Sequence, residues 1–148
     1  MACLKEKRDT GQKSAAGVCY QSPSMNKSGG IVMTSHLTYN WQGASGRIYR
    51  YYIYPRHPTI TEGQVGNYIY SKRNAEGAWM PIYIGQGDLS IRAHEEHQHV
   101  GCINSKGATH IHAHVNANEA DRLAEEDDLL AHHSEAYSPN GCNLKAKR

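Results

Sequence analysis

Val-Gly-Asn-Tyr-Ile-Tyr-Ser at Val65–Ser71 and Pro-Ile-Tyr-Ile-Gly at Pro81–Gly85 are the two runs of sequence that decide the fold. Both are rich in aromatic and β-branched residues, which favour strands. The turn-like segment Arg73–Gly77 lies between them. The two runs therefore predict an antiparallel hairpin.

Two further strands flank this hairpin in the sequence. Ile48–Tyr54 is dominated by tyrosine and isoleucine, and Pro55 and Pro58 follow it. Thr109–Val115 alternates histidine with Ile, Ala and Val, a period of two that predicts a half-buried strand.

Two helices are predicted from their capping residues. Asp88 is a good N-cap for a helix that runs toward His99, and Asn118 can cap a last helix through about Ser134. Strands followed and crossed by helices indicate a small α+β domain.

Composition limits the function only weakly. The chain has 148 residues, enough for one domain, and a net charge of +2, which does not by itself indicate a nucleic-acid-binding protein. Residues 1–33 are rich in Lys, Ser, Gly and Gln and predict a disordered extension. Residues 34–143 are assigned to the domain and residues 144–148 to a basic tail.

The cysteines and the hydropathy suggest a cytoplasmic protein. None of the four cysteines has CxxC spacing, so zinc ribbons and redox motifs are disfavoured and reduced thiols are expected. No segment approaches the roughly 18 apolar residues of a membrane span, so no membrane partner is predicted. The sequence does not indicate an oligomeric state.

The last predicted helix contains carboxylates close to its apolar residues. The apolar stripe consists of Ala120, Leu123, Ala124, Leu130 and Ala131. Asp127 falls within the stripe and Glu126 on its flank. A carboxylate at the edge of a core is costly unless it is paired or binds a metal. Pairing with Arg122 and an exposed helix end are the alternatives, and periodicity does not choose between Glu126 and Asp127.

Taken in order along the chain, five short signals resemble the GIY-YIG nuclease superfamily. They are Gly66-Asn67-Tyr68, Tyr83-Ile84-Gly85, Arg92, Glu126 and Asn143. The resemblance covers Trp41 to Asn143. It implies a three-stranded antiparallel sheet flanked by helices, with an additional N-terminal strand here, and an endonuclease that hydrolyses DNA phosphodiester bonds.

The resemblance also implies a role for several residues. Glu126, which precedes the pair Leu129-Leu130 by three residues, would be the single protein ligand of Mg²⁺ or Mn²⁺. Tyr68 would be the general base, Tyr83 would help to place the attacking water, and Arg92 would stabilise the phosphate.

One further catalytic residue and three supporting residues complete the predicted site. Where many members of the superfamily carry a His or Tyr one turn after the arginine, this chain has Glu96, so His97 is nominated as the catalytic residue that contacts the phosphate or the leaving group. Lys72, four residues along the strand from Tyr68, would perturb the tyrosine pKa. Gly85 and Asn143 would support the site.

Two other functions compete with the nuclease. His110, His112 and His114 lie on one side of a strand and, with His132, His133 or Asp127, would build a zinc or iron hydrolase site. The same histidines are also explained by an exposed polar sheet face or by a surface facing nucleic acid. The second competitor is a module of the same fold that binds nucleic acid without cutting it.

Overall fold

The structure, a computed structural model, describes residues 20–21, 37–56, 58–60, 62–93 and 97–145. The predicted N-terminal extension, residues 1–33, lies outside these ranges except for residues 20–21, which form a short strand. The last three residues of the predicted basic tail also lie outside them.

Most of the described residues lie in strands and helices. In chain order the strands are β1 (Tyr20–Gln21), β2 (Thr38–Gln42), β3 (Ile48–Pro55), β4 (Thr59–Ile60), β5 (Val65–Arg73), β6 (Trp79–Asp88) and β7 (His110–Val115). The helices are α1 (Leu89–Arg92), α2 (Val100–Ser105) and α3 (Glu119–His132), and a 3-10 turn follows at Ser134–Ala136. The predicted α+β class is therefore correct.

The main sheet is antiparallel and has five strands in the order β2-β3-β7-β5-β6, while β1 pairs only with β4. The predicted hairpin is β5–β6, and β7 lies on the other side of β5. Three strands and one additional N-terminal strand were expected, so the sheet is wider than predicted by one strand, β2. The short run Thr38–Gln42 becomes a strand because it pairs along its whole length with β3.

The helix predicted to run from Asp88 toward His99 is shorter than expected. Asp88 does cap it, accepting a hydrogen bond from the Ser90 amide, but α1 ends at Arg92 and α2 begins only at Val100. The helix predicted at Asn118 is confirmed, because the Asn118 side chain accepts a hydrogen bond from the Asp121 amide at the start of α3.

Each face of the sheet has its own buried cluster, as expected when successive side chains of a strand point to opposite faces. Tyr68 and Tyr70 of β5 pack with Leu89 of α1 and Ile103 of α2. On the other face, Ile69 packs with a set that includes Leu129 of α3. We call these the α1/α2 face and the α3 face.

A disulfide joins Cys102 of α2 to Cys142, with the two Cα atoms 5.9 Å apart. The expectation of reduced thiols is therefore wrong for this pair, while Cys3 and Cys19 lie outside the described residues. Sequence spacing did not reveal the bond because α2 and the C-terminal segment meet only in the folded chain. Disulfides are typical of oxidising compartments, so the cytoplasmic location stays a prediction that this bond does not support.

None of the helices in the described part of the chain has the length and apolar character needed to cross a membrane.

Candidate active site

The tyrosines of the two motifs meet on the α1/α2 face of the β5–β6 hairpin. Tyr68 pairs across the strands with Gly85, and Tyr70 pairs with Tyr83. The rings of Tyr68 and Tyr83 are stacked, with centroids 6.0 Å apart and planes at 21°. A Cβ atom at position 85 would lie 2.6 Å from the Tyr68 hydroxyl and 2.8 Å from the Tyr83 ring. Because Gly85 has no side chain, it leaves room for both tyrosines.

We expect Gly85→Ala to displace the tyrosine pair. Forcing a methyl group into this contact should lower the free energy of unfolding by about 1–3 kcal/mol. Gly101→Ala is the matched control, because a Cβ atom at that exposed helical position would meet nothing within 4 Å. Urea unfolding of both variants measures the difference. Equal stability of the two variants would contradict the steric role of Gly85.

His97 lies behind Tyr68 and is held in one tautomer. The Tyr68 hydroxyl is 2.7 Å from Nε2 of His97, and the backbone N–H of His99 donates to Nδ1 at 3.0 Å. Burial, the Arg92 charge and His99 lower the pKa of His97 to about 4. The neutral ring therefore carries its proton on Nε2 and donates to the Tyr68 oxygen.

This arrangement directs the Tyr68 proton toward Tyr83. Burial raises the pKa of Tyr83, and the Glu126 charge raises it further, but hydrogen bonds from Tyr68 and Gln98 and the Arg92 charge oppose the rise. Burial raises the pKa of Tyr68 far more, and the neighbouring Tyr83 adds to it. Tyr68 is only 1% exposed, whereas Tyr83 is half-buried. The hydroxyl that ionises more readily and lies nearer to solvent is therefore that of Tyr83, although the general base was assigned to Tyr68.

Arg92 lies at the end of α1, where its backbone is held against the hairpin. The Tyr70 hydroxyl donates to the Arg92 carbonyl at 2.6 Å. Gly87 has a φ of +139°, and a Cβ atom there would stand 3.4 Å from Nε of Arg92. The half-buried guanidinium therefore passes directly over the strand that carries Tyr83.

Glu126 of α3 interacts electrostatically with this group. Because β6 is the edge strand, a side chain of α3 can approach the α1/α2 face around the edge of the sheet. Burial raises the pKa of Glu126 to about 7, the Asp127 charge also raises it, and the Arg92 charge lowers it. The Glu126 charge in turn raises the pKa of Tyr83. We call Tyr68, Tyr83, Arg92, His97 and Glu126 the candidate site.

The buried side of α3 is not the predicted apolar stripe. Its buried residues are Arg122, Glu125 and Leu129. Leu123 is 45% exposed, and Asp127 is exposed as well. Glu125 is thus the buried carboxylate of α3, and of the two predicted candidates Glu126 is half-buried while Asp127 is exposed. Arg122 does not pair with Glu126 but donates to Gln86 and to the Asn116 carbonyl.

The surroundings of Glu126 suit a divalent cation. In the described ranges no hydrogen-bond donor lies against its carboxylate, although the group is half-buried. Mg²⁺ commonly binds through one or two carboxylates together with water and substrate phosphate. Within the same ranges no group of three or more His, Cys, Asp or Glu side chains is arranged to hold a metal, so a cage of protein ligands is not present there.

Of the predicted supporting residues, Lys72 lies away from Tyr68, whereas Asn143 lies beside the strand that carries Tyr83. Lys72 donates to the Lys106 carbonyl at 2.8 Å. Four residues of extended strand span about 13 Å, so Lys72 shares a strand face with Tyr68 but not its surroundings, and Arg92 is the cation that lowers the Tyr68 pKa. Asn143 is buried and exchanges two hydrogen bonds with Ile84, accepting from its N–H at 2.9 Å and donating to its carbonyl at 2.8 Å. It thus holds the outer edge of β6 between Tyr83 and Gly85.

The histidines of β7 do share one face, but that face is covered. His112 is fully buried and accepts from Nε1 of Trp41 at 3.0 Å. His110 packs against Trp79, and His114 lies 2.6 Å from Glu125. The interpretation as an exposed polar face is therefore wrong. Trp79 packs against both His110 and His112, while Trp41 hydrogen-bonds His112 and Glu125 lies against His114.

Sequence reasoning missed the residues that act through their neighbours. Tyr70 holds the Arg92 backbone, Gln98 hydrogen-bonds Tyr83, and the His99 amide sets the tautomer of His97. The run His97-Gln98-His99 directly before α2 is the one signal in the sequence that points to them.

Comparison of the chain with protein-family models, curated proteins and solved structures finds no match.

Proposed function

We propose that this protein is a metal-dependent endonuclease that hydrolyses DNA phosphodiester bonds. The observation that carries the proposal is the combination of a stacked tyrosine pair, an arginine whose charge acts on it, and a half-buried carboxylate without a hydrogen-bond donor among the described residues. Each of these groups has a use in phosphodiester hydrolysis. The resemblance to GIY-YIG nucleases, which names the same residues, adds support.

Arg92 is suited to hold the phosphate under attack. A guanidinium presents a planar fork of N–H donors that matches phosphate oxygens. It counters the negative charge that accumulates in the transition state, and a partly dry surrounding strengthens this interaction. Its backbone bond to Tyr70 and its passage over Gly87 keep it in place.

Tyr83 is suited to receive a proton from the attacking water. It ends a series of donors in which His97 donates to Tyr68 and Tyr68 donates to Tyr83. Such donors stabilise the oxygen as it becomes negative. The step begins from the tyrosinate form of Tyr83, which has lost its proton to solvent. The water oxygen bonds to phosphorus, the water proton goes to the Tyr83 oxygen, the bond from phosphorus to the leaving oxygen breaks, and the leaving oxygen takes a proton from solvent.

Glu126 would hold Mg²⁺ or Mn²⁺ together with phosphate oxygens and water. The bound ion supplies positive charge to the phosphoryl oxygens. With a pKa of about 7, the Glu126 carboxylate is half-protonated at neutral pH when no metal is bound. A metal ion therefore competes with a proton for this group.

Cleavage assays test the proposal. Supercoiled plasmid, nicked plasmid, branched DNA and RNA are incubated with the protein and Mg²⁺ or Mn²⁺, and cleavage that EDTA abolishes is expected on at least one DNA. Arg92→Gln should lower the rate by roughly 10²–10³-fold. Arg73→Gln is the control, because Arg73 is exposed at the far end of β5. DNA binding without cleavage would instead indicate the inactive module, and activity on RNA alone would contradict the proposed substrate.

A further inference from the structure

Helix α3 packs on the sheet through Leu129 and, nearer its N-terminus, through a row of polar side chains. Neighbouring strands each contribute one residue to this row, namely Tyr51 of β3, His114 of β7, Asn67 of β5 and Gln86 of β6. Asn67 pairs across the strands with both Gln86 and His114, and the rings of Tyr51 and His114 lie 4.6 Å apart. We call these four residues the polar row.

The polar row forms hydrogen bonds with two residues of α3. Gln86 Oε1 accepts from Nε of Arg122 at 3.1 Å, and Asn67 Nδ2 donates to the Arg122 carbonyl at 2.9 Å. One oxygen of Glu125 lies 2.6 Å from the Tyr51 hydroxyl, which donates to it, and 2.6 Å from Nε2 of His114. The polar row therefore contacts Glu125, which directly precedes Glu126, and Arg122, which lies one helical turn before Glu126.

These contacts are of the kind that fixes the position of a helix. Arg122 is 8% exposed and Glu125 is 5% exposed. Removing one hydrogen-bond partner of such a buried charged group leaves the group unpaired at considerable cost. Hydrogen bonds are also directional, whereas an apolar stripe tolerates a helix that slides or rotates by some degrees.

Gln86 connects these hydrogen bonds to the candidate site. It stands between Gly85, which makes room for Tyr68, and Gly87, over which Arg92 passes. Alternation along β6 places the two glycines on the α1/α2 face and Gln86 on the α3 face. Three consecutive residues of one strand thus set the positions of Tyr68, of Arg92 and, through Arg122, of the helix that carries Glu126.

We propose that the polar row is a positioning device for the metal-binding carboxylate, with Gln86 and Asn67 acting through Arg122. The proposal rests on the function proposed above. The bonds to Arg122 hold α3 in the rotation that turns Glu126 toward Arg92 and Tyr83, and the buried Leu129 on the same side of the helix supports this rotation. Gln86 is a positioning residue and does not itself touch the ion.

Direct metal binding tests this role without relying on cleavage. Mn²⁺ is titrated into wild-type protein and variants, and the free ion is measured by electron paramagnetic resonance. Gln86→Met keeps the side-chain volume but removes the acceptor for Arg122, and we expect it to weaken Mn²⁺ binding by about tenfold, the lower end of the range for a lost outer-sphere partner. Gln86→Glu restores the acceptor and should bind within twofold of wild type.

The controls separate positioning from general loss of stability. Tyr49→Phe removes one helix-to-sheet hydrogen bond, to Asp128 at 2.9 Å, but leaves the two bonds from Ser45 to Asp128 and every bond to Arg122. It should leave Mn²⁺ affinity unchanged. Gln86→Ala, which admits water beside Arg122, replaces the methionine variant if that variant does not fold.

The outcomes distinguish this inference from the proposed function. Unchanged Mn²⁺ affinity in a folded Gln86→Met or Gln86→Ala variant would overturn the positioning role, as would equal weakening in Tyr49→Phe. Absence of any wild-type Mn²⁺ binding that Glu126→Gln removes would overturn the proposed function instead.

Discussion

Replacing Glu126 with Gln is expected to abolish metal-dependent cleavage and, in the absence of metal, to stabilise the fold at and above neutral pH. The substitution removes the one carboxylate that would hold the ion, so the cleavage rate should fall by roughly 10²–10³-fold or more. The stability gain follows from the pKa of Glu126, which burial raises from the ordinary 4.5 to about 7.

The sign of the pH dependence follows from that shift. Between about pH 4.5 and 7 the folded protein keeps the Glu126 proton while the unfolded chain has lost it, so stability falls as the pH rises through this window. Below it both states are protonated and the carboxylate costs nothing. Thermal melts in EDTA from pH 4 to 8.5 should show the variant and wild type nearly equal at pH 4 and diverging as the pH increases.

Asp127→Asn is the matched control because Asp127 is exposed and adjacent. It should retain most of the cleavage activity, and its melting temperature should change little. Full activity in Glu126→Gln, combined with loss of activity in Asp127→Asn, would mean that the neighbouring carboxylate holds the ion.

Tyr83→Phe should lower the cleavage rate by about 10²-fold or more, the usual size of a lost general base. The ring and its packing remain, so the melting temperature should stay close to that of wild type. Tyr68→Phe keeps Tyr83 but removes a donor to its oxygen. Because a hydrogen bond to a charged group contributes about 1.5–3 kcal/mol, that variant should lose roughly tenfold to hundredfold at neutral pH.

The pH profile separates the two roles. Loss of the Tyr68 donor raises the pKa of Tyr83, so the rate of Tyr68→Phe should continue to rise at pH values where the wild-type rate has levelled off. Tyr39→Phe, on the α3 face of the sheet, is the control and should match wild type. A larger loss in Tyr68→Phe than in Tyr83→Phe, without a shifted profile, would return the role of base to Tyr68.

The hairpin, the two flanking strands and the start of α3 were predictable because local chemistry decides them. Alternating apolar residues, the turn at Arg73–Gly77 and the Asn118 cap each act within a few residues of chain. The grouping of Tyr68, Tyr83, Arg92 and Glu126 was expected from the resemblance; Tyr68 and Tyr83 stack on each other, and the charges of Arg92 and Glu126 act on both tyrosines.

The tertiary structure alone decided the features that depend on distant partners. The buried side of α3 follows polar partners on other strands rather than the helical periodicity of its own sequence. The Cys102–Cys142 bond and the hydrogen bond from Lys72 to the Lys106 carbonyl likewise depend on where separate segments meet.

The relative burial of Tyr68 and Tyr83 shows the same difference between what the sequence and what the tertiary structure determine. Sequence by itself determined that two tyrosines face one side of a hairpin, because strand side chains alternate with a period of two. It did not determine which hydroxyl is buried behind the other, because α1, α2 and the His97-Gln98-His99 run set the burial and the hydrogen-bond donors around them. Periodicity acts along one strand, whereas burial and hydrogen-bond direction are properties of the assembled neighbours.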